Sequence, residues 1–256
     1  MNFTETIIIA IIEGVTEFLP ISSTGHMILA SSLMNIDDQE FLKTFEIVIQ
    51  LGAILAIALM YIKKFLKGIE IYLKLSIAFL PTAVTGFLAY KIIKSYLFTP
   101  LVVSISLIVG GLLIIWVDKK LINKKSEFED IEKIPYKNAF FIGLIQCLSM
   151  VPGTSRAAAT IIGGVFNRLD KKQATEFSFL LAVPTMFAAT GYDIMKTEVI
   201  FDINQIQILA VGLFVAFISA WAAVKVFLKI VDIYGFKHFG YYRIILGVLF
   251  LLVYCK

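Results

Sequence analysis

The chain has 256 residues, 59% of them hydrophobic and 16% charged, with a mean hydropathy of +0.88, where a soluble domain carries about 25% charged and roughly 45–50% apolar residues. These figures exclude a water-soluble globular domain and point to an all-α integral membrane protein. The net charge of +4 is what membrane proteins carry for topology, so no nucleic acid is expected as a partner; Cys147 and Cys255 show no ligand or framework spacing and read as small buried residues.

At the start, Met1 is followed by Asn2, Thr4 and Glu5, without the basic segment or cleavage site of a signal peptide, so the first residues are expected to be retained. An apolar region at 5–34 breaks at Pro20. Spans are predicted near 43–63, 72–93 and 98–118, each long enough for a core of about 30 Å. A mixed-charge loop at 119–137 leads to a second interrupted region, 138–167, broken at Pro152–Gly153. Spans near 175–196, 206–229 and 239–255 follow. Proline lacks an amide donor and disfavours helix in the residue before it, so each interrupted region is predicted to be a re-entrant helix hairpin.

The two halves, about 1–118 and 138–256, resemble each other. "IIEGVTEFLPISSTGH" is followed by Glu46, and "LIQCLSMVPGTSRAAAT" by Glu176, at similar distances. Each half is then one hairpin plus three transmembrane helices. Three is odd, so the halves form an inverted-topology repeat within a single membrane domain, with irregular backbone and the ligand site near the midplane. The face holding both termini carries Lys43, Lys91, Lys94, Lys196 and Lys256. The opposite face carries most of the remaining Lys and Arg, among them Lys63, Lys64, Lys119, Lys120, Lys124, Lys125, Arg168, Lys171 and Lys172. The positive-inside rule makes that face cytoplasmic and points both termini and the first hairpin outward.

The first hairpin reads "EGVTEFLPISSTGH". Glu13 and Glu17, four apart, share a helical face, and carboxylates at membrane depth are costly unless they meet water, a partner or a metal. Three readings stay open: an interfacial pair at a helix end, oxygen ligation of a divalent cation such as Mg2+ or Ca2+, and general acid–base work. Ser22, Ser23 and Thr24 precede the second half-helix, where hydroxyls cap and free N–H groups attract anions. A hydroxyl there could also be a nucleophile. His26, three residues after Ser23, is the candidate to activate a hydroxyl or water near neutral pH, with a structural role as the competing reading.

The second hairpin carries the opposite charge. In "PGTSRAAAT", Gly153 would let the backbone approach a ligand closely. Thr154 and Ser155 open a new helix, and Arg156 is the one Lys or Arg placed at membrane depth. It either neutralises Glu13 or Glu17 or grips a phosphate bidentately. Thr160 lies one turn on, in a structural or a binding role. Together the two motifs describe a site for phosphate chemistry on a substrate reached from the membrane, with carboxylates suited to a bridging metal.

These two motifs, at this separation and with "EFSFLLAVP" beside them, resemble the signatures of the bacterial undecaprenyl-pyrophosphate phosphatase family, the bacitracin-resistance type, from about Ile7 to the C-terminus. The resemblance implies hydrolysis of undecaprenyl diphosphate to the monophosphate, recycling a lipid carrier at the outer face of the plasma membrane. It implies that the acidic motif falls on Glu13 and Glu17, the Ser and His on Ser23 and His26, and the phosphate-binding motif on Ser155, Arg156 and Thr160. Where the family pattern has Ser after the Arg, this chain has Ala157. Ser23 is the preferred nucleophile with His26 as base, while direct attack by His26 or by water stays open. Glu17 is expected to orient His26 or bind metal, with Glu13 assisting. The expected partners are the polyprenyl diphosphate and membrane lipids, and a homodimer is compatible with the reading. The rival is an inverted-repeat transporter or polyprenyl-phosphate flippase, which shares the broken helices and midplane charges.

Weaker signals accompany these. Glu46 and Glu176 sit near span starts, and Pro81 and Pro184 are expected to kink their spans. Gly110–Gly111 and Gly163–Gly164 read as close helix packing. Lys225 reads as snorkelling and His238 as solvated.

Overall fold

The computed structural model describes residues 1–34, 36, 39–97, 99–121, 125–196 and 202–254, and the regular elements among them are all helical. Lys124, Cys255 and Lys256 lie outside the described residues. In chain order the helices are α1 (Phe3–Thr16), α2 (Ser23–Met34), α3 (Gln39–Met60), the short α4 (Ile62–Phe65), α5 (Ile69–Tyr96), α6 (Pro100–Leu121), α7 (Tyr136–Gln146), α8 (Arg156–Phe166), α9 (Lys171–Lys196), α10 (Ile203–Tyr234) and α11 (Lys237–Tyr254). Short 3-10 turns at Ile131–Lys133 and Cys147–Met150 complete the set.

Local chemistry explains several of the boundaries. The Asn2 side chain accepts from the Glu5 amide while the Glu5 carboxylate accepts from the Asn2 amide, and Asp202 and Gln205 repeat this reciprocal cap on α10. Apolar runs then carry the helices across. Five helices among the described residues are long and apolar enough to cross a membrane: Glu40–Met60, Ile69–Ala89, Pro100–Leu121, Lys171–Met195 and Ile203–Tyr234. The sixth expected span falls on α11, whose 18 residues carry Arg243 near the middle, and it is not one of the five. Both interrupted regions are broken helices. α1 ends at Thr16, earlier than the expected stop at Pro20, because the chain leaves the helix into a turn over Glu17–Ile21 that contains the proline. α5 and α9 continue through Pro81 and Pro184.

The bundle is assembled crosswise. α1 packs on α10 and α3, and α7 packs on α5 and α8. α3 meets α9 and α10, α5 meets α9, and α11 lies along α6. Small residues set the closest approaches. A Cβ on Gly14 of α1 would lie 2.5 Å from the Ala216 carbonyl of α10, and one on Gly143 of α7 would run into the Ala78 carbonyl of α5. Gly110–Gly111 pack against α11 and Gly163–Gly164 against Ile145 and Ala174, as the spacing predicts. The aromatic residues Phe18, Phe177, Phe179 and Phe227 fill the main core.

At one end, the loop before α7 is drawn onto the bundle by charge. Lys64 pairs with Asp130 at 3.2 Å and Glu176 at 3.3 Å, Lys67 with Glu132 at 3.4 Å, and buried Ile131 and Ile134 fix the loop beneath. Glu176 is therefore part of an ion-pair network. Lys225 lies over the Trp221 ring and His238 is exposed. Cys147 is half-buried rather than buried, with its sulfur near Thr85 and the Gly143 carbonyl.

Candidate active site

The two turns share an unusual backbone. Ser22 and Ser155 both have φ of +71°, and each immediately precedes a half-helix. A non-glycine residue in the left-handed region is costly. Here each serine recovers part of that cost as a cap: Ser22 Oγ accepts from the Gly25 amide at 3.4 Å, and Ser155 Oγ from the Ala158 amide at 3.2 Å. The second turn, Val151–Thr154, is closed by the Thr154 amide donating to the Val151 carbonyl at 3.1 Å, with Pro152 and then Gly153 at φ +89° in the order a type II turn demands. Gly153 approaches the backbone of α6, where an added Cβ would lie 2.6 Å from the Val103 carbonyl. The close approach seen at Gly153 is thus to α6.

Glu17 joins the two hairpins. Its Oε2 accepts from the Ser23 hydroxyl at 2.5 Å, and its Oε1 accepts from Arg156 at 3.2 Å. The Arg156 guanidinium also donates to the Ser178 carbonyl at 3.2 Å and lies 5.3 Å from the Phe18 ring centroid, while its Nε has no partner among the described residues. Glu13, one turn before Glu17, is buried; its carboxyl contacts that of Glu17, and its Oε1 has no hydrogen-bond partner among the described residues. Two carboxylates in contact repel unless a proton or a cation is shared between them. Glu46 of α3 lies within electrostatic range of Glu13.

The remaining predicted residues separate. His26 does not engage Ser23 or Glu17: Nδ1 lies 2.8 Å from the Ser22 carbonyl oxygen and Nε2 2.7 Å from the Tyr242 hydroxyl. The proton acceptor beside Ser23 is Glu17, because the turn swings Ser23 toward α1 while the first turn of α2 carries His26 toward α11. Thr160 is fully buried, donating to the Arg156 carbonyl at 2.9 Å and meeting Ser178 Oγ at 2.6 Å, so its hydroxyl ties α8 to α9. Thr24 is exposed at the start of α2. Thr154 contributes its carbonyl, which accepts from Arg243 at 2.9 Å.

Arg243 corrects the expectation that Arg156 stands alone at depth. It is fully buried and donates to Pro20 in the first turn, to Gly153 and Thr154 in the second, and to Ser106 and Leu107 of α6, at 2.9–3.4 Å. Among the described residues no carboxylate lies in ion-pair range of it. One side chain thus holds both turns, which lie far apart in sequence, against each other. Ser178, Tyr242 and Arg243 are the site residues that motif reading missed. Arg243 belongs to neither motif, and its burial and its carbonyl partners mark it as interior.

Membrane-length helices around two broken hairpins, with Ser, Glu and Arg joined at their turns, define a multi-pass membrane protein with a polar site inside the bundle. The chain belongs to the family described as bacitracin resistance protein BacA, which matches residues 6–249. It is 53% identical to an undecaprenyl-diphosphatase of Persephonella marina over 98% of this chain and 99% of the relative. It is 51% identical to one of Sulfurihydrogenibium sp. over 99% and 100%, and 49% identical to one of Wolinella succinogenes over 98% of each.

Proposed function

We propose that the protein hydrolyses undecaprenyl diphosphate to undecaprenyl phosphate and inorganic phosphate. The observation that carries the site assignment is the chain Ser23–Glu17–Arg156, a hydroxyl at 2.5 Å from a carboxylate that is itself 3.2 Å from a guanidinium. A hydroxyl attacks phosphorus only if its proton has somewhere to go, and Glu17 is the acceptor in place. Ser23 Oγ bonds to the terminal phosphorus as its proton passes to Glu17. The bridging P–O bond breaks and the lipid monophosphate leaves. Water then cleaves the phosphoserine, regenerating Ser23 and releasing phosphate. Arg156 and the free amides at the starts of α2 and α8 hold the phosphate oxygens. The relatives' shared name favours this reaction over transport or flipping.

The acidic pair also suits a divalent cation. Among the described residues no cluster of three His, Cys, Asp or Glu is present, but Mg2+ is commonly held by one or two carboxylates with substrate phosphate supplying the rest, and Glu13 Oε1 is a buried oxygen in need of a partner. Bound between Glu13, Glu17 and phosphate, Mg2+ or Ca2+ would neutralise charge on the transferring group.

In the membrane the two halves read as an inverted repeat, residues 1–118 and 138–256, with α11 as the last span and both termini and the site facing outward from the plasma membrane. The repeat is supported by paired packing, α1 on α10 and α7 on α5, by the glycine at each of those crossings, and by the twin left-handed serines; the orientation rests on the distribution of Lys and Arg.

The test is phosphate release from a polyprenyl diphosphate by the purified protein, with and without chelator. Glu17→Gln and Arg156→Ala should each lower turnover by at least about 100-fold; near-normal turnover in either overturns the assignment. A trapped phosphoenzyme that disappears in Ser23→Ala and persists in His26→Ala identifies the nucleophile.

A further inference from the structure

His26 is held on both ring nitrogens and on one face. Nδ1 lies 2.8 Å from the Ser22 carbonyl oxygen, Nε2 lies 2.7 Å from the Tyr242 hydroxyl, and the two rings are stacked within 4° of parallel. A carbonyl only accepts, so Nδ1 carries the hydrogen. The neutral ring then presents a lone pair at Nε2, into which the Tyr242 hydroxyl donates. The Ser22 carbonyl cannot drift from this bond easily: Ser22 is buried, sits in the left-handed cap conformation, and its carbonyl also accepts from the His26 amide at 3.4 Å.

Tyr242 stands on an equally fixed platform. The next residue, Arg243, donates to five carbonyls, three of them in the two turns and two in α6. Successive helical residues point about 100° apart, so α11 sends Arg243 inward to the turns and Tyr242 alongside α2. The Ser23 proton is already committed to Glu17, which leaves the imidazole as a second, separate proton-handling group at the same turn.

We propose that Tyr242 is a positioning residue that fixes the plane of His26 and engages Nε2, the nitrogen that the Ser22 carbonyl leaves unprotonated, at the turn that carries Ser23. The proposal rests on the phosphatase reading above. The hydroxyl supplies the hydrogen bond and the ring supplies the stack, so the two contributions separate by substitution: Tyr242→Phe removes the bond and keeps the stack, and Tyr242→Leu removes both.

The chain has two histidines, and His238 is exposed, so His238→Gln leaves His26 as the single imidazole for nitrogen-15 NMR in the purified full chain. The expected signature is the Nδ1–H tautomer in both proteins, with the unprotonated Nε2 resonance moving downfield in Tyr242→Phe as the hydrogen bond into its lone pair is lost. In parallel, kcat for phosphate release should fall about tenfold with KM held within about twofold, the loss expected for one hydrogen bond. Tyr242→Leu should fall further. An unchanged Nε2 resonance or an unchanged kcat in Tyr242→Phe overturns the proposal, including when that variant is merely less stable. Absence of phosphate release by the unsubstituted protein would instead overturn the hydrolase reading, while the NMR signature would still judge Tyr242.

Discussion

Glu17 accepts from a hydroxyl with one oxygen and from a guanidinium with the other, so a single carboxylate ties Ser23 of the first hairpin to Arg156 of the second. Arg156 is shared in the same way, with the Ser178 carbonyl as its second anchor. The neighbouring residues divide into those that act on substrate and those that hold the frame. Thr160 belongs to the frame: Thr160→Val should lower stability by about 1 kcal/mol through loss of the Ser178 bond, with KM nearly unchanged, which a denaturation curve and a kinetic assay would check together. Gly153 is less forgiving. Its φ of +89° and its contact with the Val103 carbonyl leave no room for a side chain, so Gly153→Ala should cost about 2 kcal/mol or more. It should also reduce turnover, because the turn it closes carries Ser155 and Arg156.

The half-helices were legible because a proline, and then a run of hydroxyl residues, interrupt an apolar pattern too short to span twice. Their ends were less so. The stop of α1 at Thr16 follows from how the chain must turn to bring Ser23 back onto Glu17, and that is a tertiary demand invisible in the local pattern. The pairing of Ser23 with Glu17 instead of His26 has the same origin, since sequence spacing along a helix does not apply across a turn. Packing between elements was legible in kind, as small residues, but not in partner. Gly14→Ala and Gly143→Ala should both lower the thermal midpoint by pushing α1 from α10 and α7 from α5, at about 1–3 kcal/mol each. Gly191, with nothing within 4 Å of an added Cβ, should accept alanine with a small gain. Melting the three variants side by side checks the contrast.

At the scale of the whole molecule, an ion-pair network holds the loop before α7 while one buried guanidinium holds the two turns together. At the charged end, burial alone would raise the pKa of Asp130, but the hydrogen bonds from Lys64 and the Ile131 amide, together with the charges of Lys64 and Lys67, hold it below the ordinary value for Asp. Its contribution to stability is therefore complete at neutral pH and is lost as pH falls through that lowered value. Hydrogen exchange should show the 125–135 loop loosening first on acidification, and Asp130→Asn should show it already loosened at neutral pH. At the turns, Arg243 satisfies three carbonyls that would otherwise lie unpaired away from water. Arg243→Met should cost roughly 3 kcal/mol. Because that guanidinium arrives on α11, a chain emerging from the ribosome has made every proposed reacting group by Arg156 but cannot lock them together until residue 243 has entered the bilayer. Activity should switch on only once α11 is in place, and a nascent chain stalled before α11 should be inserted yet inert.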